Sequence, residues 1–187
     1  KAESDIAADI IKTFTRSHAL PQELQDTLQK WESDLNKLHT MEAHSNTLSA
    51  ARSLLSPVMA ESSLVNDELH LVTTLKATSI LHYLLESNLT QDDRRHATFL
   101  LALAYQHTPI VSLEIFREFY LEQCIREFPY SNEAQQAYIM YQEYIEMLST
   151  GSGGLHLEVE DRNKLQTLRK LAYGTDDFNI KDSAPIY

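Results

Sequence analysis

Apolar residues recur along this chain in steps of three and four, and the periodic stretches break at prolines, serines and one glycine cluster. Ile6, Ile10, Ile11 and Phe14 predict a short amphipathic helix over residues 2–16. Pro21 in "HALPQ" breaks it. Leu24, Leu28, Trp31, Leu35 and Leu38 then alternate steps of four and three, a heptad seam. The seam fades at Glu42 and Ser45, which predicts packing within a bundle and not a long coiled coil. Leu48, Leu54 and Leu55 carry the helical pattern on to Pro57, where it is expected to end. "SPVMAESS" reads as a loop.

Asn66 is expected to cap the next helix, with Asp67 and Glu68 in its first turn, where negative charge favours the helix dipole. Its apolar positions run from Leu69 through Val72, Leu75, Ile80 and Leu81 to Leu85. Thr90 opens a further helix with Asp93 in an approximate capping box, and Pro109 closes it. Ser112 is placed to cap "LEIFREFYLEQCIREF", and Pro129 to end it. Ser131 then caps a tyrosine-rich helix running to about Leu148. "STGSGG" is the flexible loop, and "LHLEV" the one hint of a strand. A short helix is expected at about 161–172, and a polar tail from Gly174. The whole reads as an all-α protein of six or seven helices. Its divisions are N-terminal helices at 1–57, a core of helical hairpins at 58–173 and a tail at 174–187.

Composition agrees with helix. Gly and Pro number only 4 and 5 in 187 residues, too few for the turns of an all-β fold. The net charge of -11 argues against a nucleic-acid backbone or anionic lipid as partner, since both are met by Lys and Arg. No apolar run reaches the length of a transmembrane helix. Cys124 is the only cysteine, which excludes an internal disulfide, and its neighbours Leu121, Ile125 and Phe128 read as core.

Aromatic residues concentrate between 99 and 144. Tyr138, Tyr141, Ile145 and Leu148 form one helical stripe, read first as core between antiparallel helices. Tyrosine hydroxyls need partners and aromatic rings make good interface contacts, so Tyr105, Phe116, Tyr120, Tyr130, Tyr138, Tyr141 and Tyr144 are also the candidate contacts for a partner or ligand. Leu101, Ala102 and Tyr105 in "TFLLALAY" are echoed by Ala137, Tyr138 and Tyr141 in "AQQAYIMY", 36 positions on. Over about 90–149 the chain resembles the tetratricopeptide repeat family. Leu101, Ala102 and Tyr105 stand at the spacing of that family's first helix, and Leu121, Cys124 and Pro129 approximate its second. "EFPYSNEAQQAY" is similar to repeat junctions of bacterial envelope tetratricopeptide lipoproteins. The resemblance implies stacked helical hairpins that bind a protein or peptide. With the start at Lys1 and not Met, it also implies an envelope protein, periplasmic or membrane-anchored, from which a leading segment was removed.

Templates for chemistry fail. No two of the eight histidines stand at the i, i+3 or i, i+4 spacing that places two metal ligands on one helix face. Glu-x-x-His motifs of a di-iron bundle are absent. "GSGG" lacks the Lys-Ser or Lys-Thr of a phosphate loop, and no Gly-x-Ser-x-Gly elbow occurs. His82 and His107, each beside aromatics, are the histidines of interest. The expectation is a non-enzymatic binding or scaffold protein without cofactor or metal, whose partner is a protein or peptide. The alternative is a helical bundle that holds a small apolar ligand in an aromatic-lined pocket.

Overall fold

The computed structural model describes residues 2–17, 19–41, 46–60, 68–151 and 154–174. The described residues form an all-α fold. In chain order these are α1 (Ala2–Ser17), α2 (Gln22–Met41), α3 (Leu48–Ala60), α4 (Leu71–Glu86), α5 (Gln91–Gln106), α6 (Glu114–Glu127), α7 (Asn132–Leu148) and α8 (Val159–Tyr173). Short 3-10 turns at Glu68–His70 and Val111–Leu113 lead into α4 and α6. Between α7 and α8, β1 (Thr150–Gly151) and β2 (Gly154–Leu155) pair antiparallel, Thr150 opposite Leu155. The strand hint at "LHLEV" is thus confined to its first residue.

Four local expectations need correction. Pro57 does not end α3, which continues to Ala60 and buries Val58. A proline at this position has no N–H for the Ser53 carbonyl. The Ser56 hydroxyl donates to that carbonyl instead, at 2.8 Å, and the helix runs on. The first part of "SPVMAESS" is therefore helix; residues 61–63 lie outside the described residues, as do Asn66 and Asp67. His70 stands at the N-cap of α4 with no side-chain cap bond, and Glu68 sits in the preceding 3-10 turn. Ser112 lies inside a 3-10 turn and not at an N-cap, because Leu113 N–H already bonds the Ile110 carbonyl at 2.8 Å. Leu148 continues the stripe at the last residue of α7 but is not core, being 62% exposed.

The chain divides into two compact units, bounded differently from 1–57 and 58–173. The first holds residues 1–90 and 103–114; the second holds 91–102 and 115–187. In the first, α1 packs on α2, α2 on α4, and α3 on α4. The heptad seam serves this bundle: Leu28 and Leu38 are buried, Trp31 and Leu35 half-buried. Trp31 Nε1 donates to the Glu68 carbonyl. Asp34, 3% exposed at its side chain, is paired with Lys30 and with Lys37 at 3.6 Å. Such a buried carboxylate is tolerated because cations meet it. Ala51, Leu54 and Leu55 of α3 and Ala77, Ile80 and Leu81 of α4 supply the apolar interior. The last turn of α5 belongs here, and in it the Tyr105 hydroxyl meets His82 Nε2 at 2.8 Å.

In the second unit one core cluster gathers Leu121, Cys124, Ile125 and Phe128 from α6 and its end, Tyr138, Tyr141 and Ile145 from α7, and Leu165 and Leu168 from α8. The junction at 128–131 is tightly specified. Tyr130 takes a left-handed φ of 64°, rare for a side-chain-bearing residue, and its N–H donates to the Leu171 carbonyl at 3.0 Å. Ser131 caps α7 as expected, its hydroxyl accepting from Ala134 N–H at 3.1 Å. At the other end Gly174 closes α8 with φ 77°, which glycine adopts without steric cost. A Cβ there would also stand 3.2 Å from the Tyr130 ring.

Candidate functional site

The seven aromatic candidates do not come together on one surface. Tyr138 and Tyr141 are each 1% exposed and belong to the core of the second unit, where α7's stripe meets α6 and α8. Tyr105 is buried in the first unit against His82. These three offer no face to a partner. Tyr120 and Tyr144 are half-buried, while Phe116 and Tyr130 are 39% and 64% exposed. Tyr144 is covered by the Arg117 guanidinium, 3.8 Å above its ring, a cation–π contact joining α6 to α7.

The exposed candidate that matters is on α6. At 100° per residue, Leu121, Cys124, Ile125 and Phe128 mark one side of this helix, and all are buried. Ile115 and Phe119, one turn apart, fall on the opposite side and are 69% and 56% exposed, with Phe116 beside them. A surface helix ordinarily carries polar residues there. The exposed apolar residues occupy the first two turns of α6, and the buried ones its last two turns. Beyond Phe119 the same side turns polar, and Phe119, Glu122, Gln123, Arg126 and Glu127 line an open groove. Phe119 packs edge-on against Tyr120, ring centroids 5.0 Å apart.

A polar cluster holds α6 in place. Lys164 of α8 reaches Glu118 Oε1 at 3.0 Å and Glu122 Oε2 at 2.7 Å. Tyr141 donates its hydroxyl to Glu118 Oε1 at 3.0 Å, and Arg126 pairs with Glu122 Oε1 at 2.7 Å. Burial works against the Lys164 ammonium, but bonds to Glu122, Tyr141 and Glu118 outweigh it and raise its pKa. Burial likewise opposes the Glu122 carboxylate, but Lys164 and Arg126 hold its pKa below the usual value. The Tyr141 phenol is raised by burial and by Glu118. Lys164, Glu122 and Tyr141 are each driven further into the ionisation state they hold at neutral pH. The cluster is a three-helix clamp.

A second tie joins α5 to α7: Glu133 pairs with Arg95 Nε and His96 Nε2, each at 3.0 Å. Cys124 is fully buried, and burial followed by Glu133 pushes its thiol up to about 12, far from a reactive thiolate. Among the described residues no three His, Cys, Asp or Glu side chains converge on a metal-sized site. None of the described helices is long and apolar enough to cross a membrane.

Sequence reasoning singled out Phe116 but passed over Ile115 and Phe119. Their signal was present as a second apolar row opposite the Leu121 row. It was masked by counting aromatics without asking which side of α6 each occupies. No protein-family model, curated protein or solved structure matches the chain.

Proposed function

We propose that this chain is a non-enzymatic protein-interaction module, and that the outer face of α6 is where its second unit meets a protein or peptide partner. The observation that carries this reading is the exposed apolar row at the start of α6, Ile115 and Phe119 with Phe116 beside them, on the side opposite the buried Leu121 row. Large apolar side chains clustered on a surface mark interaction sites more often than chance exposure does. The Lys164 clamp supports it further, because a surface held rigid before binding loses less entropy on association. The likeness to tetratricopeptide hairpins fits the same role. Leu101, Ala102 and Tyr105 of α5 and Ala137, Tyr138 and Tyr141 of α7 are all buried, as equivalent members of two first helices would be.

The test is photo-crosslinking from Gln123, at the edge of the groove, in the native cell. A trapped protein should disappear in Ile115→Asp and Phe119→Asp chains that keep wild-type helicity and melting. Each substitution should weaken binding by about 2 kcal/mol or more, the scale of an interface anchor. A partner retained by both folded variants would remove α6 from the reading.

A further inference from the structure

We infer that the joint between α5 and α7 is a proton-dependent latch, closed by the imidazolium of His96 on Glu133 and loosened when that ring loses its proton. The latch follows from the two contacts of one ring and does not depend on the α6 reading. His96 Nδ1 stands 2.8 Å from the Asp92 carbonyl, one turn back on α5. A carbonyl only accepts, so Nδ1 carries a proton there. The other ring nitrogen, Nε2, stands 3.0 Å from Glu133 Oε1 on α7. An ionised carboxylate also only accepts. A neutral imidazole has one N–H, and the Asp92 carbonyl already takes it. Its Nε2 then turns a bare lone pair toward the carboxylate oxygen. A proton on Nε2 converts that repulsion into an ion pair.

The surroundings leave this charge to His96. The Glu133 side chain is 13% exposed, so the pair is screened less than one in open water. The other cation at Glu133 is Arg95, whose Nε lies 3.0 Å from Oε2 without forming a hydrogen bond, and whose Nη1 is drawn to Asp92 at 2.9 Å. Asp93 stands three residues before His96 on the same helix. From α6, Glu127 acts together with Glu133 on the Cys124 thiol and adds negative charge to the same joint. No charged group of α8 is paired with the ring among the described residues. Carboxylates thus outnumber the Arg95 guanidinium here, and the imidazolium makes up the difference. Glu133 lies in the first turn of α7, so the latch pins the start of that helix to the first turns of α5. The folded chain holds the closing proton. Its contribution is therefore complete below the ordinary histidine value of about 6.5 and is lost on the alkaline side of it. His82, where burial disfavours the charged ring, acts in the opposite sense.

The test is thermal melting of the full chain and of His96→Gln at about pH 5.5 and about pH 8.5. The substitution should lower the melting temperature by about 2 °C or more at the lower pH, and far less at the higher. His82 titrates in both chains, so their difference isolates His96. In a Glu133→Gln background the same substitution should cost equally at both pH values. His96→Arg keeps its charge throughout, so its advantage over His96→Gln should not change with pH. Nitrogen-15 spectra of the histidine rings in the unaltered chain give a second reading. His96 Nδ1 should hold its proton at both pH values, and Nε2 only at the lower. A neutral ring protonated at Nε2 and bare at Nδ1 would overturn the proposal. So would a His96→Gln cost that is equal at both pH values or larger at the higher, or a pH dependence that survives Glu133→Gln.

Discussion

Tyr138 and Tyr141 stand one turn apart on α7, equally buried, yet their hydroxyls have different fates. Tyr141 donates to the Glu118 carboxylate at 3.0 Å. The Tyr138 hydroxyl is buried with no hydrogen-bond partner among the described residues. Burial raises its pKa, and the nearby Arg169 opposes this without taking up hydrogen-bond geometry. Truncating either ring to alanine should cost about 3–5 kcal/mol. Phenylalanine separates them. Tyr141→Phe should lose about 1–2 kcal/mol by breaking a bond to a charged acceptor, whereas Tyr138→Phe should be neutral or slightly stabilising. Urea denaturation of the two variants checks this. At His82, burial lowers the imidazole pKa below 6.5, with Glu86 opposing. As pH falls, the unfolded chain takes up this proton before the folded one does. His82 thus contributes its full stability above 6.5 and loses it as pH drops through the lower folded value. Thermal melts between about pH 7 and about pH 5 should therefore fall less steeply in His82→Gln than in the parent.

Among the elements, the junction from α6 to α7 was legible residue by residue. Pro129 ended one helix and Ser131 capped the next, because both act through their own backbone neighbours. Ser131→Ala should cost about 1 kcal/mol, read as a lowered midpoint in urea. The converse holds at α3. Pro57 signalled a stop, but a single serine hydroxyl replaced the missing bond and the helix continued. The α6 face lies between these cases. Its two apolar rows are written in the local sequence, yet which row is buried depends on where α7 and α8 arrive. Lys164, 42 residues beyond Glu122, completes the clamp and carries no local sign of its role.

For the whole molecule the acidic excess is the property with a direct physical consequence. Like charges on a folded surface repel, and the partly exposed ion pairs around Lys164 contribute little against this. Raising NaCl from about 20 to about 200 mM screens the repulsion, so the melting temperature should rise. Differential scanning fluorimetry at low protein concentration measures it, and a fall would mean that ion pairs dominate. The division of the chain was less legible than its helices. α5 is continuous, yet Gln91–Ala102 belongs to one compact unit and Leu103–Gln106 to the other, so no break in the sequence marks the boundary.

By itself the sequence determined the helical class, most helix ends and the apolar stripe along α7. These follow from periodicity, capping and proline sterics, which act within a few residues. Tertiary structure decided which tyrosines became core, which apolar rows on α1 and α6 remained outside, and which charges met at Glu118, Glu122 and Lys164. Those outcomes depend on contacts between residues far apart in the chain, and only packing brings such residues together.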